Sequence, residues 1–256
     1  MPRKPPGRLQ IIVSEGGILK GSLLKAYRKM PHLHVQRSEL TYEAVLSPSF
    51  GTLIDTPGRV LSALLSEFDH LDVGVSDVSM DDGPLEDTGL SCEVEKLDAN
   101  VVIRADRVEI RFFSIDETGD GAAEAIRGVW KVIACTSPEV TAKSHSLLFE
   151  MDCELLNGSY RAALEPFCRP HESLPQGTET AVVYYLPPDA SQGFLDSSFV
   201  LNRSAEVEGG VLLAVTLVFE GKHSRPDELI HAGRKRLADL LRSLDIAVVQ
   251  DSKATG

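Results

Sequence analysis

The sequence predicts an α+β fold, mostly antiparallel sheet with two amphipathic helices packed on it and a β-α-β unit at its N-terminal end, and three observations carry that expectation. The run Val211-Leu-Leu-Ala-Val-Thr-Leu-Val-Phe219 holds no charge and no proline. Such a segment is too apolar to leave either face in water, so it reads as a central strand. Before it, Phe199-Val-Leu-Asn-Arg-Ser-Ala-Glu-Val207 reads as a partner strand, joined through Glu208-Gly209-Gly210, whose glycines can take the positive φ of a tight turn. After it, Ile230, Gly233, Leu237, Leu241 and Leu244 recur three or four apart, while Arg234, Lys235, Arg236, Asp239 and Arg242 fill the other positions. That is a helix with one stripe against the sheet.

From the N-terminal end, Leu9–Val13 reads as a short strand and Ile18–Met30 as a helix, with Leu19, Leu23, Leu24 and Tyr27 at helical spacing. Leu33–Val35 and Leu40–Leu46 read as two strands, the second closed by Pro48. Thr56 can cap and Pro57 can start a helix carrying Val60, Leu61, Leu64, Leu65 and Phe68. Leu71–Val78 alternates apolar and polar residues, as a half-buried strand does, and Ser91–Leu97 alternates again beyond the acidic turn Asp81–Gly89. Val101–Arg104 and Val108–Phe113 make a hairpin about Ala105-Asp106. A helix then runs from about Gly121 to Ile133 on the stripe Ala122, Ala125, Ile126, Val129, Val132 and Ile133, with Asp120 as its expected cap.

Ser146–Leu155 is a strong strand, Asn157-Gly158 a turn signal and Tyr160–Phe167 a short helix. Ala181–Leu186 is a buried-type strand stopped by Pro187-Pro188. Ser224 is the candidate N-cap of the last helix, with Pro226 in its first turn and Asp227 and Glu228 near its positive end. Ile246–Val249 can add an edge strand. We read residues 9–80 as an N-terminal α/β unit and 90–250 as a C-terminal α+β sheet domain. Within the latter, 100–134 and 199–244 share the order strand, strand, helix, which suggests a pseudo-repeat. Residues 1–8 and 251–256 read as disordered ends.

The turn Ser14-Glu-Gly-Gly17 lies between a strand and a helix, where a phosphate can sit on a helix N-terminus. The phosphate-loop pattern needs glycine, four residues, glycine, lysine and a hydroxyl residue. Gly16, Gly21 and Ser22 supply the glycines and the serine, but no lysine follows Gly21. Leu53-Ile-Asp-Thr-Pro-Gly58 resembles the Asp-x-x-Gly segment of the GTPases, which would make Asp55 a metal-supporting carboxylate. Gly16, Gly21, Ser22 and Asp55 are therefore the candidate cofactor-binding residues. Against that reading, the chain has no Asn-Lys-x-Asp for guanine, and its C-terminal half looks antiparallel rather than doubly wound.

Other chemistry is weakly written. Asp116–Gly121 matches the first half of a calcium loop, yet position twelve is Arg127, where a bidentate glutamate belongs. His32 and His34 fall two apart with no third metal ligand legible. Gly-x-Ser-x-Gly, His-Glu-x-x-His and Gly-x-Gly-x-x-Gly do not occur, and the imaginable acid/base pairs His145 with Glu150 and His223 with Asp227 are neighbours in sequence only. Cys92, Cys135, Cys153 and Cys168 are widely spaced, as reduced structural thiols are.

With 38 acidic against 26 basic residues and a net charge of −12, the chain lacks an electrostatic footprint for phosphate backbones. Its 43% hydrophobic and 25% charged residues are ordinary for a globular chain, and neither a secretory leader nor an apolar run of membrane-spanning length is legible. We therefore expect a non-enzymatic protein of the cytoplasm, a protein-binding or assembly module working through a sheet edge or helix face. Its partner would be another protein or a second copy, with no nucleic acid, membrane, metal or cofactor. The alternative is a nucleotide- or metal-dependent enzyme using the Gly16–Ser22 turn and Asp55. A carrier of an apolar ligand fits the core size but is supported by no specific residue.

Overall fold

The computed structural model of the chain describes residues 32–81, 88–114, 118–156, 159–164, 167, 180–188, 193–221, 225–244 and 246–249. The strand and helix read at Leu9–Val13 and Ile18–Met30, and the turn between them, lie outside the described residues. The fold is α+β. Its strands are β1 (Leu33–Ser47), β2 (Val78–Asp81), β3 (Gly89–Val94), β4 (Ala99–Arg104), β5 (Arg107–Phe112), β6 (Thr141–Leu155), β7 (Val182–Leu186), β8 (Phe194–Arg203), β9 (Val211–Glu220) and β10 (Val248–Val249). They form one sheet of order β2-β3-β4-β5-β1-β6-β9-β8-β7, and β10 lies parallel to the start of β1. All other pairs are antiparallel.

Its centre is the seam between β1 and β6, each of 15 residues, paired from Leu33 opposite Leu155 to Ser47 opposite Thr141. Along β6, Leu147, Phe149, Met151 and Cys153 are buried while Ser146, Leu148, Glu150 and Asp152 between them are half-exposed. β9 repeats the pattern with Leu213, Val215, Leu217 and Phe219 buried. Side chains alternate across a strand, so one face of the sheet is packed and the other is not.

The packed face carries α2 (Pro57–Phe68), α3 (Asp120–Thr136) and α5 (Leu229–Ser243), with the short α1 (Gly51–Asp55) ahead of α2. Every residue of the expected α3 stripe is buried. Trp130 of α3 reaches Tyr42 of β1, and Tyr42 stands opposite Leu147 of β6. At Gly233 in α5 a Cβ would come 2.5 Å from Leu147 Cδ1, so the missing side chain is what lets this helix lie so close to the strand. One hydrophobic core runs under all three helices.

Several expectations change. The two strands read at 33–35 and 40–46 are one, because a bulge between Val35 and Arg37 resets the alternation: Leu33 and Val35 precede it, Leu40, Tyr42, Ala44 and Leu46 follow it, and all face the core. The strand expected at Leu71–Val78 is instead a pair of 3-10 turns, and only Val78–Asp81 is extended. Local hydrogen bonds account for this: Asp72 is left-handed at φ 63°, and the Gly74 N–H donates to the Asp77 carboxylate at 2.7 Å. Asp120 does not cap α3; Gly119 does, at φ 78°, and the Asp120 N–H donates to Thr118 Oγ1.

Thr56 likewise makes no side-chain cap for α2; its hydroxyl donates back to the Thr52 carbonyl of α1, while Pro57 starts α2 as expected. β3 stops at Val94 in a 3-10 turn and β8 stops at Arg203 rather than Val207; α4 covers Tyr160–Leu164, and residues 165–166 of the helix read to Phe167 lie outside the described residues. In α5 the stripe is centred on Leu229, Ile230, Gly233 and Leu240, with Leu237, Leu241 and Leu244 half-buried beside it. The expected division between 9–80 and 90–250 falls inside the β2–β3 hairpin, and one sheet takes strands from both sides of it.

Candidate functional site

On the packed face, four groups among the described residues are linked by hydrogen bonds. Trp130 Nε1–H donates to the Tyr42 hydroxyl at 2.7 Å, Tyr42 donates to His145 Nδ1 at 2.8 Å, and His145 Nε2–H donates to the Gly221 carbonyl at 3.2 Å. The carbonyl can only accept, so Nε2 carries a proton in this bond. Tyr42 and His145 are both buried, and burial raises the Tyr42 phenol against the smaller lowering effect of the Trp130 hydrogen bond. It ties α3, β1, β6 and the turn after β9 together, with both Tyr42 and His145 buried.

The opposite face of the sheet is bare of α2, α3 and α5 and divides into two halves. Near β1 and β5 it is charged: Glu39, 5% exposed, accepts from Arg111 Nε at 2.9 Å and also pairs with Arg37. The Glu39 hydrogen bond, opposed by partial burial, holds the Arg111 guanidinium above its ordinary pKa. From β6 outward the face turns apolar. One cross-strand row runs from Glu150 through Ala214 and Val200 to Val183, and the next from Leu148 through Thr216 and Ser198 to Tyr185. Leu212 and Val218 flank these rows on β9. The row ends are the most open, with Val183 46% and Tyr185 78% exposed on β7, the last strand of the sheet.

Asp55 ends α1 and is exposed, while Gly16, Gly21 and Ser22 lie outside the described residues. His145 and Glu150 stand on opposite faces of β6, and His223 lies outside the described residues. Asp227, its imagined partner, is buried and accepts from Arg127 Nη2 at 2.9 Å. Arg127, the residue at position twelve of the calcium-like loop, is therefore half of an ion pair joining α3 to the start of α5; residues 116 and 117 of that loop are not described. His34 Nδ1 accepts from Gln36 Nε2–H, which also reaches Glu154, and His32 is exposed. Among the described residues no three His, Cys, Asp or Glu side chains converge as metal ligands. Burial pushes the Cys92 thiol up to about 11 and the Cys153 thiol up to about 12, the buried structural thiols expected of their strands.

Neither the buried polar chain nor the bare apolar rows were singled out in the sequence. Tyr42 and His145 are 103 positions apart and meet only through the β1–β6 register. The rows had a weaker signal that could have been read: Val211–Phe219 is apolar at every position but Thr216, so both of its faces had to be accounted for. No protein-family model matches the chain, and a search of curated proteins found no match. No helix among the described residues is long and apolar enough to cross a membrane.

Proposed function

We propose that the chain is a non-enzymatic protein-binding or assembly module of the cell interior, and that it meets its partner on the bare apolar half of its sheet. The observation that carries this reading is the run of half-exposed Leu148, Val200, Leu212, Ala214 and Val218 on β6, β9 and β8, which continues to Val183 and Tyr185 on β7. A mostly apolar patch rimmed by charge, here interrupted by Thr216 and Ser198, supports an interaction surface. Here the rim is Glu150, Asp152 and Glu220. Each half-exposed Val or Leu of the patch gains on the order of 1 kcal/mol when the rest of it is covered, so several together favour association.

The test is a pair of substitutions, Val200→Lys and Leu212→Lys, whose side chains point away from the core. With circular dichroism unchanged, light scattering of the protein purified gently from its host is expected to lose any mass above one chain that the wild type carries. A complex that survives both substitutions removes the bare face from the account.

A further inference from the structure

The apolar half of the bare face is a strip across β6, β9 and β8 with an acidic border. Its aliphatic side chains, Leu148, Leu212, Ala214, Val218 and Val200, are half-exposed, and Glu150, Asp152 and Glu154 on β6 and Glu220 at the end of β9 lie at its margin. The piece that fits such a strip is amphipathic and basic, with an apolar stripe for the middle and cations for the margin. This chain holds one. Ile18–Met30, which the sequence reads as a helix, puts Leu19, Leu23, Tyr27 and Met30 on one stripe, with Lys20, Lys25, Arg28 and Lys29 at other positions around the turn.

We propose that the segment 18–30 packs across the apolar half of its own sheet, as the resident occupant that a partner must displace. The inference rests on the protein-binding reading above and adds its regulation.

Charge selects this occupant over a second copy of the sheet. Residues 1–31 hold Arg3, Lys4, Arg8, Lys20, Lys25, Arg28 and Lys29 against the one acid Glu15, so the rest of the chain is more acidic than the net −12 of the whole. Two such sheets repel, whereas the basic segment is drawn to the acidic margin.

The point of attachment agrees. The described chain begins at His32, whose carbonyl accepts from the Leu156 N–H at 3.2 Å, and Leu33 stands opposite Leu155. The segment therefore joins the sheet beside the end of β6, the strand that borders the apolar half. Pro31 disfavours helical backbone at the residue before it, which suits a helix that stops at Met30 and turns. Length agrees as well: a helix over Ile18–Met30 is about 20 Å long, and strands spaced about 4.8 Å apart make β6 to β7 a strip roughly 15 Å across. Tethering holds the segment near the strip at an effective concentration in the millimolar range, so a contact too weak between separate molecules is made within one.

Hydrogen exchange of the full chain, read by mass spectrometry over residues 18–30, tests this. In wild type at about 1 µM we expect these amides to exchange about tenfold or more slower than in an unstructured chain, with the same protection at about 100 µM, as a contact within one molecule requires. Leu212→Lys and Val200→Lys, each with circular dichroism unchanged, are expected to remove that protection, and Val102→Lys, half-exposed opposite Glu109 on the charged half, to keep it. Leu23→Asp reaches the same contact from the segment's side without touching the described sheet, and is expected to remove it too. Free exchange of residues 18–30 in wild type overturns the proposal. So does protection that survives both sheet variants or Leu23→Asp, and so does protection that appears only at the higher concentration, which would put the segment on a second copy. In each of these cases the protein-binding reading is decided separately, by the scattering of the lysine variants.

Discussion

Tyr42 shows how much a single hydroxyl settles in this molecule. It accepts from Trp130 and donates to His145, so removing it leaves a half-buried indole N–H and a buried imidazole nitrogen without their partner in this chain of bonds. Each abandoned buried group costs about 1–3 kcal/mol, against a small gain from the added apolar surface. Tyr42→Phe is therefore expected to lower stability by about 2 kcal/mol in urea unfolding and to shift the emission of Trp130, the only tryptophan, in the native state. An unchanged midpoint with unchanged emission would mean the three side chains are not coupled. None of this was legible beforehand, because hydrogen-bond partners 88 and 103 positions apart are set by strand register and not by local pattern.

Elements are joined here by a few specific contacts. Asp227 precedes α5 and binds Arg127 of α3, with Arg225 nearby. Burial alone would raise its carboxyl, but the hydrogen bonds and charge of Arg127, aided by Arg225, outweigh burial and hold it below the ordinary carboxylate value. A group whose folded pKa is depressed adds stability that is complete above the unfolded value of about 3.9 and is lost as pH falls through the folded one. Wild type is thus expected to lose stability below about pH 4 more steeply than Asp227→Asn, and parallel acid curves would show that the pair contributes nothing.

The crossing of α5 over β6 rests on Gly233, where a Cβ would lie 2.5 Å from Leu147 Cδ1 and 3.2 Å from the Phe149 ring. Overpacking of this kind costs about 1–3 kcal/mol, whereas alanine in place of helical glycine gains about 1. Gly233→Ala is therefore expected to destabilise by about 1 kcal/mol, and a gain in stability would show that the helix can lift off the strand. Element type was largely legible from such patterns: the α3 stripe was read residue by residue, and Gly233 was placed on the core-facing stripe of α5. What misled was local chemistry that imitates a period. The alternation at Leu71–Val78 is real, but Asp72 and Asp77 turn the backbone on itself before a ladder can form.

At the scale of the whole molecule, the sheet reads alike in both directions from its central seam. Going outward, β1 is followed by β5, β4 and β3, and β6 by β9, β8 and β7. The two strand-strand-helix units read at 100–134 and 199–244 occupy equivalent topological places, one on each side. The halves differ where function is proposed: beyond β1 the bare face is charged and its edge ends in Asp81, while beyond β6 it is apolar and its edge is uncharged. That asymmetry could not be read in the sequence, since neither strand order nor which face the helices cover is written locally. The central claim, that the chain works by association rather than by catalysis, is tested most directly by native mass spectrometry of protein purified gently from its host, with and without added Mg²⁺ and nucleotide. The account expects mass increments of a whole chain or a partner protein, indifferent to nucleotide; a bound nucleotide or metal mass that disappears in Ser22→Ala or Asp55→Ala would contradict it.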